Sequence, residues 1–221
     1  LFYFQLGIAL RIQSRQTKTI NRIAVPGVLA RQLRERLPYT LTEDQELVLK
    51  EIIQDMHKPF PMARLLQGDV GSGKTMVALL AALYAVERGG QVAIMAPTEL
   101  LARQHATIAA HLVEPLGVRL AFVTGSISSA VRPQLLEALK SGDIDIAIGT
   151  HALFSDDVSF KNLELVIIDE QQRFGVLQRI ALYKKGHVPD FLMMTATPIP
   201  RSLALTFFGD MEVSVADDFF L

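Results

Sequence analysis

The sequence predicts an α/β chain built on a mainly parallel sheet, preceded by a helical N-terminal segment. Three observations carry this. Short apolar runs alternate with amphipathic stretches, several runs are apolar at every position, and polar motifs sit at the ends of the runs. Strands that are apolar throughout are buried on both faces, which happens when helices cover both sides of a parallel sheet. In such sheets ligands bind at the carboxyl ends of the strands.

In chain order, residues 1–38 read as two helical stretches, roughly 1–19 and 27–37, split by Pro26-Gly27 and closed by Pro38. A helix follows over Glu43–Met56, with acids in its first turn where the helix dipole favours them. Strands are expected at Arg64–Gln67, Val92–Ala96, Leu120–Thr124, Ile144–Gly149, Leu165–Asp169, Phe191–Thr195 and Val213–Val215. Helices are expected near Thr75–Arg88, Glu99–Glu114, Val131–Lys140, Val176–Lys184 and Arg201–Phe208.

Half of the 221 residues are hydrophobic, enough for one large domain or one domain and part of a second. With no cysteine, disulfides, thiolate zinc sites and cysteine nucleophiles are excluded. No apolar run reaches the ~20 residues of a membrane span. The N-terminus lacks an initiator Met and a basic lead-in, and reads as a helix cut from a longer chain. The net charge of −1 conceals an asymmetry: residues 1–38 carry +6 and the remainder −7. A basic arm beside an acidic body suits contact with a polyanion, and equally suits a solvated helix face.

Gly68-Asp69-Val70-Gly71-Ser72-Gly73-Lys74-Thr75 matches G-x-x-x-x-G-K-[ST] in full, after a strand and before a helix. In this pattern glycines let backbone N–H groups turn around the β-phosphate, and the helix dipole faces the anion. Lys74 is expected on the β- and γ-phosphates, and Thr75 on Mg²⁺. A glycine-rich turn with an incidental lysine is the bland alternative. Leu165-Val166-Ile167-Ile168-Asp169-Glu170 is an apolar strand ending in two carboxylates. Asp169 suits a Mg²⁺ contact and Glu170 orientation of the attacking water. A nucleoside triphosphate, ATP first among them, is the expected ligand. His57, His105, His111 and His187 show no metal-ligand spacing and are assigned to surface or packing.

The strand-end motifs together resemble those of superfamily 2 helicases. Gly68–Thr75 looks like motif I, Ala96-Pro97-Thr98-Glu99-Leu100-Leu101-Ala102 like motif Ia, and Thr124-Gly125-Ser126 like motif Ib. Gly149-Thr150-His151-Ala152-Leu153 resembles the next nucleic-acid motif. Asp169-Glu170-Gln171-Gln172-Arg173-Phe174-Gly175-Val176 looks like motif II, and Thr195-Ala196-Thr197-Pro198-Ile199-Pro200-Arg201 like motif III. Among these helicases the wording resembles the ATP-dependent branch-migration class over about residues 38–215, with the transcription-repair coupling translocases as the nearest relatives.

The resemblance implies a three-layer RecA-like domain over 39–221, a helical linker over 1–38 leading from a DNA-binding wedge domain, and a second RecA-like domain beyond Leu221. It implies Gln45 and Tyr39 on the adenine, and Thr98, Arg103, Thr124, Ser126, Thr150 and His151 near a DNA backbone. Thr195 and Thr197 would couple nucleotide state to DNA. Each has a plain alternative: a surface arginine for Arg103, strand ends for Thr124 and Thr150, packing for His151 and Tyr39.

The family has His where this chain has Gln172. Glutamine still exchanges hydrogen bonds there but does not titrate near neutrality. An arginine finger from a second domain is worth roughly 10³–10⁵ in rate in related enzymes. These 221 residues alone are therefore expected to bind nucleotide, hydrolyse it slowly and not unwind DNA. The implied partner is branched or forked DNA, with no membrane contact, in a monomeric bacterial protein of the cytoplasm. A phosphate-loop kinase and a nucleotide-binding switch module are the competing classes.

Overall fold

The computed structural model describes residues 24–169, 188–197 and 212–216. Its centre is a sheet of seven strands: β1 (Ala63–Gln67), β2 (Gln91–Met95), β3 (Leu120–Val123), β4 (Ile146–Gly149), β5 (Leu163–Ile168), β6 (Asp190–Thr195) and β7 (Glu212–Val215). They lie in the order β3-β4-β2-β5-β6-β1-β7, and every pairing is parallel. All seven expected strands are present, with bounds shifted by at most two residues. The expected helices at 176–184 and 201–208, and the first stretch at 1–19, lie outside the described residues.

The helices are α1 (Val28–Arg36), α2 (Glu43–Met56), α3 (Lys74–Glu87), α4 (Glu99–Val113) and α5 (Arg132–Ser141). The pleat sends alternate strand residues into two cores. Leu66, Ile94, Ile148, Ile167 and Met194 face α1 to α4, whereas Leu65, Ala93, Ala147, Val166 and Phe191 face the side of α5 and the short 3₁₀ turn His151–Phe154. That two-sided burial is why the strands read as unbroken apolar runs.

Helix α3 is apolar almost all round because it lies between the sheet and helices α1 and α2. Its buried residues run from Met76 through Leu83 without a gap. Helix α1 buries Ala30 and Leu33 in the same core. It starts at Gly27, whose φ of 71° lies in the left-handed region, and a Cβ there would fall 2.4 Å from the Tyr84 hydroxyl. Residues 28–36 therefore pack against α3 on one face of the sheet.

A buried polar knot ties three elements at the β7 edge. Arg64 on β1, 7% exposed, donates from Nε to Asp55 Oδ2 at 2.8 Å and from Nη1 to Ser214 Oγ at 2.5 Å, and pairs with Glu51 at 3.0 Å. One guanidinium thereby joins α2, β1 and β7, the edge that backs the Gly68 loop.

Candidate functional site

The strand order determines which loops meet. Strand β1 lies beside β6, and β6 beside β5, so the ends Gln67, Thr195 and Ile168–Asp169 share one rim of the sheet. The chain then leaves β1 through Gly68–Gly73 and enters α3. Gly68 donates its N–H to the Thr195 carbonyl at 3.3 Å, while Ala216 donates to the Gln67 carbonyl at 2.8 Å. The loop is thus clamped from β6 on one side and β7 on the other. A Cβ at Gly68 would lie 2.1 Å from the Ala216 oxygen and 2.7 Å from Ser72 Oγ, so only glycine fits.

Gly73 is the N-cap of α3, with φ 76° and no side-chain cap, and the first turn of α3 holds no acid. Helix α2 differs: its first turn carries Glu43, Asp44 and Glu46, and Thr42 and Gln45 form a capping box. One helix end is satisfied internally and the other presents an uncompensated positive dipole end to the loop. Lys74 Nζ donates to the carbonyls of Gly68 (2.6 Å) and Asp69 (2.5 Å) and lies 3.4 Å from Ser72 Oγ. Its ammonium is gathered over the loop, where a bound phosphate's oxygens would compete with those carbonyls. Ser72 is fully buried, Val70 is 82% exposed, and Thr75 is exposed at the mouth. A glycine cradle, an open helix N-terminus, a poised ammonium, a hydroxyl and the Asp169 carboxylate fit a magnesium–nucleoside triphosphate.

Two side chains have partners that the local sequence pattern does not announce. Gln45 is fully buried, and both ends of its amide are engaged: Oε1 accepts from Thr42 N–H at 3.0 Å, and Nε2 donates to the Ser72 carbonyl at 2.9 Å. Here it braces the phosphate loop, and reading adenine would require those bonds to open. Tyr39 is 37% exposed, and partial burial pushes its hydroxyl pKa above the usual value.

The second is His105, assigned from sequence to surface or packing. On α4 its Nε2 lies 2.7 Å from Asp169 Oδ2, with only 16% and 18% of the two side chains exposed. That assignment is corrected. The partners are 64 positions apart in the chain, so no local spacing could reveal the pair. Of the expected catalytic residues, Lys74 and Asp169 stand on this rim, and Glu170 and Gln172 lie outside the described residues. Thr195 is buried, and its Oγ1 lies 2.8 Å from Thr197 Oγ1 and accepts from Thr197 N–H at 3.2 Å. The expected coupling pair is thus one backbone hydrogen bond from Gly68.

The expected DNA-contact residues divide into two sets. Thr98 caps α4 by accepting from Leu101 N–H at 3.3 Å. Arg103 is 63% exposed along its side chain, lies 4.9 Å from the Phe122 ring centre and pairs with Glu99 at 3.2 Å. Ser126 donates to the same Glu99 at 2.7 Å and lies 3.0 Å from Thr124 Oγ1. Glu99, not anticipated from the sequence, is therefore the hub of this set. Thr150 is buried at the end of β4, donating its N–H to the Val123 carbonyl at 3.3 Å, and His151 is exposed beside it. No group of three or more metal-binding side chains occurs among the described residues, and no described helix is long and apolar enough to cross a membrane.

A parallel α/β sheet with a phosphate loop at β1, an acidic strand end at β5 and the Thr-Ala-Thr turn at β6 defines a phosphate-loop NTPase of the helicase type. Residues 42–206 match the DEAD/DEAH box helicase family model, and the chain belongs to that family. It is 51% identical to the ATP-dependent DNA helicase RecG of Treponema pallidum over 97% of this chain, and 50% identical to that of Bacillus subtilis over 99%. The chain spans about a third of the length of these relatives, 34% and 32%. The structure of RecG bound to a three-way DNA junction superposes with a TM-score of 0.88 at 42% identity, covering 99% of this chain and 29% of that one. The helicase MrfA bound to DNA, at 18% identity and TM-score 0.66 over 91% of this chain and 31% of that one, shares the fold.

Proposed function

We propose that this chain is the ATP-binding motor domain of an ATP-dependent DNA helicase that remodels branched DNA such as forks and junctions. The observation that carries the reading is the convergence of Lys74, Asp169 and Thr195 on neighbouring strand ends, with Gly68 hydrogen-bonded to Thr195. The likeness to RecG, and to RecG on a three-way junction, supports branched DNA as the partner. A bacterial, cytoplasmic setting goes with that reading.

The loop N–H groups and Lys74 would hold the β- and γ-phosphates, and Thr75 and Asp169 would hold Mg²⁺, which neutralises charge developing on the phosphate oxygens. Glu170 would orient the attacking water. Arg103, Thr98, Thr124, Ser126, Thr150 and His151 offer a cation, hydroxyls and loop ends suited to a phosphate backbone, contacts that position DNA without reading sequence.

The test is ATP hydrolysis by protein containing this chain, with and without forked DNA. The expected result is hydrolysis stimulated by the fork, abolished in Glu170→Gln with nucleotide binding kept, and loss of nucleotide binding in Lys74→Ala. Hydrolysis indifferent to DNA would overturn the helicase reading in favour of a kinase or a nucleotide switch.

A further inference from the structure

Asp169 is held from two sides. Its backbone N–H donates to the Met95 carbonyl at 2.8 Å, fixing it against β2. Its side chain meets His105 Nε2 at 2.7 Å through Oδ2. A carboxylate can only accept, so the imidazole donates, and Nε2 carries the hydrogen. With less than a fifth of either side chain exposed, the bond lies largely out of water and is stronger than a surface contact of the same length.

His105 is itself fixed. Ala102, Ala106, Ala109 and Val113 bury the inner face of α4, and these mostly small residues let the helix lie close to the sheet. A cavity of about 370 Å³ is lined by His105, Gln104, Lys74 and Thr75 among others, so the imidazole opens onto the space shared by the phosphate-loop lysine and hydroxyl.

We infer that His105 is a positioning residue for the Asp169 carboxylate, orienting it for the divalent cation that accompanies the nucleotide. The inference rests on the nucleotide-site reading above. A carboxylate anchored only by its backbone samples several χ rotamers. Tying Oδ2 to a packed imidazole removes most of that freedom before the cation arrives. Outer-shell donors of this kind are typically worth about 10–100-fold in metal affinity.

The test separates metal from nucleotide. Mn²⁺ binding to the protein–ADP complex is measured by electron paramagnetic resonance, and binding of a fluorescent ADP is measured in EDTA. His105→Ala is expected to weaken Mn²⁺ about tenfold while leaving EDTA-phase ADP binding unchanged. His105→Gln, whose amide nitrogen takes the place of Nε2, is expected to recover most of the loss. Unchanged or tighter Mn²⁺ binding in the alanine variant would overturn the inference. So would an equal loss of ADP binding in EDTA, or a glutamine variant no better than alanine. If the alanine variant does not fold, His105→Gln against His105→Leu gives the same comparison. Failure of the unsubstituted protein to bind Mn²⁺–ADP would instead refute the nucleotide-site reading itself.

Discussion

Replacing Gln45 by alanine removes a fully buried side chain that is hydrogen-bonded at both ends. Two backbone groups lose their partner, the Thr42 N–H and the Ser72 carbonyl. An unsatisfied buried polar group costs about 1–3 kcal/mol. Thr42 is half-buried and water can reach it, so its share lies at the low end, whereas the bond to Ser72 is fully buried. The sum is about 2–4 kcal/mol. For a chain of this size each kcal/mol shifts Tm by about 2–4 °C, so the variant should melt roughly 4–16 °C lower. Because Ser72 sits within the phosphate loop, affinity for ATP and GTP should fall together. Differential scanning fluorimetry and competition binding with the two nucleotides measure both effects. An unchanged Tm with a loss of ATP binding alone would refute the reasoning: Gln45 would then release the loop and read adenine, as the sequence suggests.

Gly68→Ala should be worse than Gly71→Ala for both stability and nucleotide binding, because its Cβ meets the Ala216 carbonyl at 2.1 Å whereas the Gly71 Cβ meets nothing within 4 Å. Thermal melts and ADP titration of the two variants check the order, and equal effects would show that backbone strain, not the β7 clamp, governs the loop. Asp55→Ala leaves Arg64 buried with Glu51 and Ser214 but without its closest carboxylate, and should cost about 3–5 kcal/mol in urea denaturation. Arg64→Met combined with Asp55→Leu should recover most of that loss, since well-packed apolar pairs replace buried ion pairs without penalty.

The sequence by itself determined the parallel sheet, its strands and the chemistry of its rim. Strands buried on both faces must be apolar throughout, and a phosphate cradle must place glycines, a lysine and a hydroxyl at fixed local spacing. Both constraints act between near neighbours, so both are written along the chain. The bonds that make those pieces one site are not. Gln45 reaches Ser72 across 27 positions, and His105 reaches Asp169 across 64. Nothing in the local pattern distinguishes His105 from His111, six residues on along the same helix but exposed. Only the stacking of α4 over β3 and β4 turns one imidazole toward the carboxylate. The same holds for α1, whose basic residues suit a polyanion or a solvated face while Ala30 and Leu33 seat it in the core. Charge and turn signals are local, but burial is decided by what the rest of the fold places opposite.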